Sequence, residues 1–211
     1  MIPDKNQWIK ALEERHGKEL QDKILSTTVA ICGLGGLGSN IAIMLARAGV
    51  GKLILIDFDK VDITNLHRQQ YKACQVGLHK TEAMLQNLRE IAPYLETEIH
   101  TVCLDENNFR ELLKNADVIC EAFDNAEAKA SLVNYMLSEM PGKYVIAASG
   151  MAGMESANSI QTRKISEHFY LCGDGQSDVA SGMGLVSSRV CVCASHQAHM
   201  VLRIIAEKFE V

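Results

Sequence analysis

The stretch ICGLGGLGSN at residues 31–40 sets Gly33, Gly35 and Gly38 in the spacing G-x-G-x-x-G, and its flanks narrow what the chain can fold into. Before it, TVAIC is a short, apolar, partly β-branched run that reads as a buried strand. After it, Ile41, Leu45 and Ala48 fall on one helical face until Gly49. Strand, glycine turn and helix in that order present backbone N–H groups and the positive end of a helix dipole, so a phosphate is the expected guest. Taken alone, the glycines are also explained by a tight turn and close helix packing. A P-loop is excluded, because no G-x-x-x-x-G-K-[ST] occurs and Ser39–Asn40 supplies no phosphate lysine.

The alternation continues along the chain. Residues 4–24 suit a helix, KLILID a second buried strand, HKTEAMLQNLREIAP a helix and ETEIHTVCL a third strand. ADVICEAF then reads as strand four, NAEAKASLVNYMLSEMPG as a helix stopped at Pro141–Gly142, and KYVIAAS as strand five. Strands separated by helices of this length require right-handed crossovers, which predicts an α/β, Rossmann-like, doubly wound and mostly parallel sheet with helices on both faces. From about residue 150 the sequence becomes rich in Gly and Ser, so the C-terminal third is expected to be modified, with short strands, a crossover loop and a final helix over 189–208. No repeat or linker interrupts the chain, and residues 1–211 read as a single domain.

A net charge of -5 with 47% apolar residues gives no basic field for nucleic acid. No apolar run is long enough for a membrane span or a signal peptide, so a cytoplasmic protein is expected, with no membrane partner. The seven cysteines form no C-x-x-C pair, and the two sulfurs of Cys191–Val–Cys193 diverge on a helix, so no structural zinc is expected.

Asp57 ends strand two about 20 residues after the glycines, where a carboxylate can accept from a ribose. That suits NAD and ATP alike. The difference lies in the sequel: Asp59, Arg68, Lys80 and Asp124 all fall near the ends of strands one, two and four, which face one crevice. Two cations and several carboxylates suit a triphosphate with Mg²⁺ better than a hydride donor. Each has a plainer reading in isolation: Arg68 as a surface cation, Lys80 as a first-turn helix residue, Asp59 as a turn residue, Asp124–Asn125 as a helix cap. His67 and His79 are assigned no role.

The segments GLGGLGSN, IDFDKVDITNLHRQ, GLHKTE and FDN, in that order between about Val29 and Gly150, resemble the successive motifs of the ThiF/MoeB family, bacterial relatives of the ubiquitin-activating enzymes, and most closely its ThiF branch. The resemblance implies an adenylyltransferase that uses ATP and Mg²⁺ to activate the C-terminal glycine of a small ubiquitin-like sulfur carrier protein ending in Gly-Gly, of the ThiS type used in thiamine thiazole biosynthesis. It also implies a homodimer. By the same resemblance Gly33, Gly35, Gly36 and Gly38 border the nucleotide, and Asp57 holds the ribose with Asp59 beside it. Asn65, Arg68 and Lys80 grip the phosphates, Asp124 binds Mg²⁺, and Arg15 reaches a neighbouring subunit's ATP. Two family features are absent: the paired zinc cysteines and a reactive cysteine in the crossover loop GQSDVASGMGLVSSR. Cys172, in YLCGDG, reads as a buried strand-end thiol, so adenylation without covalent sulfur transfer is expected. An NAD-dependent oxidoreductase and a non-catalytic nucleotide-binding regulator are the competing readings.

Overall fold

The computed structural model describes residues 2–179, 182 and 184–211. Seven strands form one sheet: β1 (Thr28–Cys32), β2 (Lys52–Ile56), β3 (Glu96–His100), β4 (Val118–Glu121), β5 (Tyr144–Ala148), β6 (Gln161–Lys164) and β7 (Phe169–Gly173). Their spatial order is β3-β2-β1-β4-β5-β7-β6, and every pairing is parallel except the antiparallel β6–β7 edge. Strand order reverses between β1 and β4, the switch point at which open α/β sheets place ligands.

The inner strands are apolar on both faces because helices cover both. On one side Val29, Ile31, Leu53, Leu55 and Ile146 pack with α3 (Gly36–Ala48), α4 (Lys80–Ile91) and α7 (Ser187–Ile205). On the other side Ala30, Ile54, Ile119 and Val145 pack with α5 (Phe109–Leu113) and α6 (Ala126–Glu139). Successive residues of β1 thus alternate between two cores, as the two-residue period of a strand demands.

Four local expectations change. The helix expected over 4–24 is two, α1 (Lys5–His16) and α2 (Lys18–Ser26), broken at Gly17, whose φ of 80° ends the first. The third strand stops at His100; the Asp57 N–H caps it on the His100 carbonyl, and residues 101–104 turn across the mouth of the crevice instead. The short helix α5 has no counterpart in the sequence reading. The final helix begins at Ser187, two residues early, and ends at Ile205. Of the crossover loop expected over 175–189, residues 180, 181 and 183 lie outside the described ones. Among the described residues no helix is long and apolar enough to cross a membrane.

Candidate active site

At the switch point the carboxyl ends of β1, β2 and β4 open into a crevice of about 550 Å³, bordered by Gly33, Gly35 and Gly36 on one side and by the 149–152 and 175–179 loops on the other. The glycine turn is shaped by close approach. Gly33 has φ 94°, and a Cβ there would lie 2.8 Å from the Ala122 carbonyl oxygen; a Cβ on Gly38 would lie 1.9 Å from the Gly33 carbonyl oxygen. Gly33 therefore lets β1 pass β4, and Gly38 lets α3 seat on the turn. No side chain caps α3, so its first-turn N–H groups remain for a ligand at Gly35 and Gly36. Ser39 and Asn40 serve the scaffold: the Gln70 N–H donates to Ser39 Oγ at 3.2 Å, and Gln70 Nε2 donates to Asn40 Oδ1 at 2.7 Å, which docks the segment carrying Arg68 onto α3.

Asp57 faces the turn with its carboxylate already engaged. Oδ2 accepts the Leu34 N–H at 2.6 Å and Oδ1 the Asp59 N–H at 2.7 Å. Burial raises its pKa, against the opposing pull of Lys80 and these two N–H groups. The Lys80 ammonium, 7% exposed, donates to Asp59 Oδ2 at 2.7 Å and lies 3.9 Å from Asp57 Oδ2. Both carboxylates thus hold the lysine at the crevice wall. Arg68 lays its stem over Gly36 and donates from Nη1 to the Thr64 carbonyl at 3.2 Å, while its Nε is buried with no partner. Gln69 Oε1, also lining the crevice, is likewise buried and unpaired. Two unsatisfied buried polar atoms on successive residues are costly unless a ligand or water meets them. Asn65 uses its Oδ1 on the Asp62 N–H, so its Nδ2 donors are what it can offer a ligand.

Asp124 is exposed at the rim, and its neighbour Asn125 caps α6 through Oδ1 and the Ala128 N–H at 2.9 Å. The sequence reading missed what holds this rim. Glu121 is 0% exposed and receives Lys129 Nζ on both oxygens at 2.8 Å and the Phe123 N–H at 2.7 Å; Lys129 also donates to the Phe123 carbonyl at 3.0 Å. Burial pushes the Glu121 pKa up and Lys129 pulls it down. The pair grips the Phe123 peptide from both sides, one residue before Asp124. Gln197, in the middle of the final helix, is fully buried and donates from Nε2 to the Glu121 and Ile146 carbonyls at 2.9 and 3.1 Å. A polar residue one helical turn from Ala194 and Val201 on the apolar face was the available signal.

Arg15 is exposed on α1, which packs beside α2 with Leu12 against Gly49, at the end of the sheet away from the crevice. Cys172 is buried, and burial lifts its thiol to about 11 although Thr162 and Arg163 act to lower it. His67 joins the Thr64 and Leu185 carbonyls at 2.8 and 3.2 Å, tying the Arg68 segment to the end of the crossover loop.

Fold and crevice together define a doubly wound α/β domain with a glycine turn, two cations and several carboxylates gathered at its switch point. Residues 9–211 match the ThiF family, and the chain belongs to it. It is 38% identical over 119 residues to the adenylyltransferase and sulfurtransferase MOCS3 of Caenorhabditis briggsae, covering 56% of this chain and 30% of that protein. It is 32% identical over 181 residues to the ubiquitin-like modifier-activating enzyme 5 of Xenopus laevis, covering 80% of this chain and 43% of that one. The chain therefore spans less than half the length of these relatives. Among solved structures, the E. coli tRNA N6-threonylcarbamoyladenosine dehydratase TcdA in complex with ATP superposes with a TM-score of 0.86 at 20% identity, over 99% of this chain and 98% of that one. E. coli MccB with ATP gives 0.69 at 24% identity, over 90% and 59%. At these identities the likeness is one of fold.

Proposed function

We propose that this protein is an ATP-dependent adenylyltransferase that activates the C-terminal glycine carboxylate of a small ubiquitin-like sulfur carrier ending in Gly-Gly, of the ThiS type. The observation that carries this reading is the meeting of the glycine turn, Lys80, Asp124 and the unpartnered Arg68 Nε in one crevice. The names of the relatives, an adenylyltransferase and a modifier-activating enzyme, support it.

The carboxylate oxygen attacks the α-phosphorus, the bond to the bridging oxygen breaks, and pyrophosphate leaves with its electron pair. No general base is required, because a C-terminal carboxylate is ionised at neutral pH. Binding aligns the two reactants, and Asn65, Arg68 and Lys80 meet the charge that develops on the leaving group. For Lys80 this entails exchanging Asp59 for a phosphate oxygen. Asp124 is the carboxylate at the rim that would hold a Mg²⁺. A Mg²⁺ held there would supply charge neutralisation at the phosphates.

ATP–pyrophosphate exchange with a panel of purified Gly-Gly carriers tests the reading; exchange with none of them removes the carrier from it. With an active carrier, Asp124→Ala is expected to abolish Mg²⁺-dependent exchange, and Arg68→Ala and Lys80→Ala each to lower turnover at least ~10²-fold, the scale of losing a donor to developing charge. The α1 helix has no fully buried residue, with Trp8 and Leu12 resting partly on its own chain, which supports a homodimer in which Arg15 reaches the partner's ATP. Mixing Arg15→Ala and Asp124→Ala chains should then restore part of the activity. Failure to do so despite confirmed subunit exchange would remove Arg15 from the site.

A further inference from the structure

The crevice has a second wall that the glycine motif does not explain. Residues 149–159 leave β5 and residues 174–179 leave β7, and among the described residues these segments hold little regular structure beyond one short 3₁₀ turn, Ala157–Ser159. They meet around one side chain. Arg189, 4% exposed in the first turn of α7, donates from Nε to the Ala152 carbonyl at 3.2 Å and from Nη1 to the Glu155 and Ser156 carbonyls at 2.7 and 2.6 Å. Its Nη2 donates to Ser159 Oγ at 3.2 Å and to Asp174 Oδ2. The other Asp174 oxygen accepts the Gln176 and Ser177 N–H groups at 2.8 and 2.9 Å, and Ser177 Oγ in turn accepts the Ala152 N–H at 3.1 Å. One guanidinium therefore fastens the 152–159 loop directly and the 174–177 loop through Asp174. Burial works to raise the Asp174 pKa, but the Ser177 and Gln176 N–H groups, the Ser177 hydroxyl and Arg189 outweigh it and bring the carboxyl to about 2.

An arginine meets these acceptors more completely than a lysine can. A planar fork of five donors reaches acceptors on two loops, whereas an ammonium carries three donors on one atom. A buried ion pair is weak support for stability by itself, since an apolar pair of equal volume often does as well. Its value here is in fixing a wall. That wall lines the crevice through residues 149–152 and 175–179, where the small Gly150, Ala152, Gly175 and Ser177 alternate with the larger Met151 and Gln176. It leaves the sheet at β5 and β7 and shares the crevice with the Gly35–Gly36 turn. Among the described residues, none of the hydrogen bonds of Arg189 or Asp174 goes to that turn, to Asp57 or to Lys80, and it is the neighbouring Val190 that packs on Gly36.

We infer that Arg189, acting with Asp174, is the positioning residue for the acceptor side of the crevice: it holds the two loops between which the substrate's carboxyl-terminal segment enters, and leaves the nucleotide side as it is. The inference rests on the adenylyltransferase reading.

The test separates the two halves of the crevice. Wild type, Arg189→Met and Arg189→Lys are compared by calorimetric titration with MgATP, by pyrophosphate exchange against the active Gly-Gly carrier, and by amide hydrogen exchange. For Arg189→Met the expected result is an ATP Kd within about two-fold of wild type and a carrier KM raised at least about ten-fold, the order of effect of a misplaced wall. Loss of amide protection should be confined to residues 149–159 and 174–179, and Arg189→Lys should recover part of the KM. An unchanged carrier KM, or an ATP Kd that weakens in step with it, overturns the inference. Should wild type exchange with no carrier, the carrier is removed from the reading and the loops decide whether Arg189 positions them: unchanged protection in Arg189→Met overturns that, and loss confined to them with ATP binding intact sustains it.

Discussion

The two walls of the crevice are built by opposite means. The glycine wall is main chain against main chain: β1 passes β4 at Gly33, α3 rests on the turn at Gly38, and a side chain would not fit at either contact. The rim at Asp124 and the far wall depend on buried charge, Glu121 with Lys129 and Asp174 with Arg189. Where the sheet ends in regular strands, backbone contact is sufficient to place a ligand group. Where it runs out into loops, a buried side-chain cation with several N–H donors takes over.

This contrast can be broken. Lys129→Met leaves Glu121 buried without its cation and should cost about 3–5 kcal/mol, the range for opening a buried pair. Burial already raises the folded-state pKa of Glu121, and losing Lys129 raises it further. A carboxyl whose folded pKa lies above its unfolded value destabilises increasingly as pH rises past the unfolded value of about 4.3. The deficit should therefore be larger at neutral pH than near the unfolded pKa; equal deficits in urea titrations at both would show that the pair is not where the cost arises. On the other wall, Gly38→Ala forces a Cβ into the Gly33 carbonyl and should cost about 3 kcal/mol, the upper end of overpacking penalties, with ATP affinity falling as well. A soluble variant of near wild-type stability and ATP affinity would mean that the turn yields more readily than a backbone contact should.

The smallest effect is expected at Cys172. It is buried at the end of β7, and its thiol is held in the neutral form by a pKa near 11. Cys172→Ser should keep pyrophosphate exchange within a few-fold of wild type, and no covalent enzyme–carrier adduct should accumulate without reductant. Mass spectrometry that finds such an adduct, lost in the variant, would assign the thiol a role in sulfur transfer.

The glycine turn, β1, β2, α3 and the position of Asp57 could be read from sequence because each rests on local pattern, an apolar period with glycines at fixed offsets. The grouping of Asp57, Lys80 and Asp124 followed from topology, since the strands of a doubly wound sheet carry their carboxyl ends to one edge. What escaped was every charged or polar side chain whose role depends on a distant partner. Glu121 and Lys129 are eight residues apart and look solvated in the sequence, yet they form one buried pair. Gln197 meets carbonyls 76 and 51 residues away. The kink at Gly17 and the early end of β3 were missed because neither the helix nor the strand pattern breaks at those points.

Sequence alone determined the α/β alternation, the glycine turn and the residue types gathered at the strand ends, because periodicity and motif spacing act over a few residues. Tertiary structure decided which charges are buried, which loops Arg189 joins and which polar atoms at Arg68 and Gln69 are left unpaired. Those outcomes depend on desolvation, and desolvation is set by what the rest of the chain brings alongside, 15 residues away for Asp174 and Arg189 and 37 for Ala152 and Arg189.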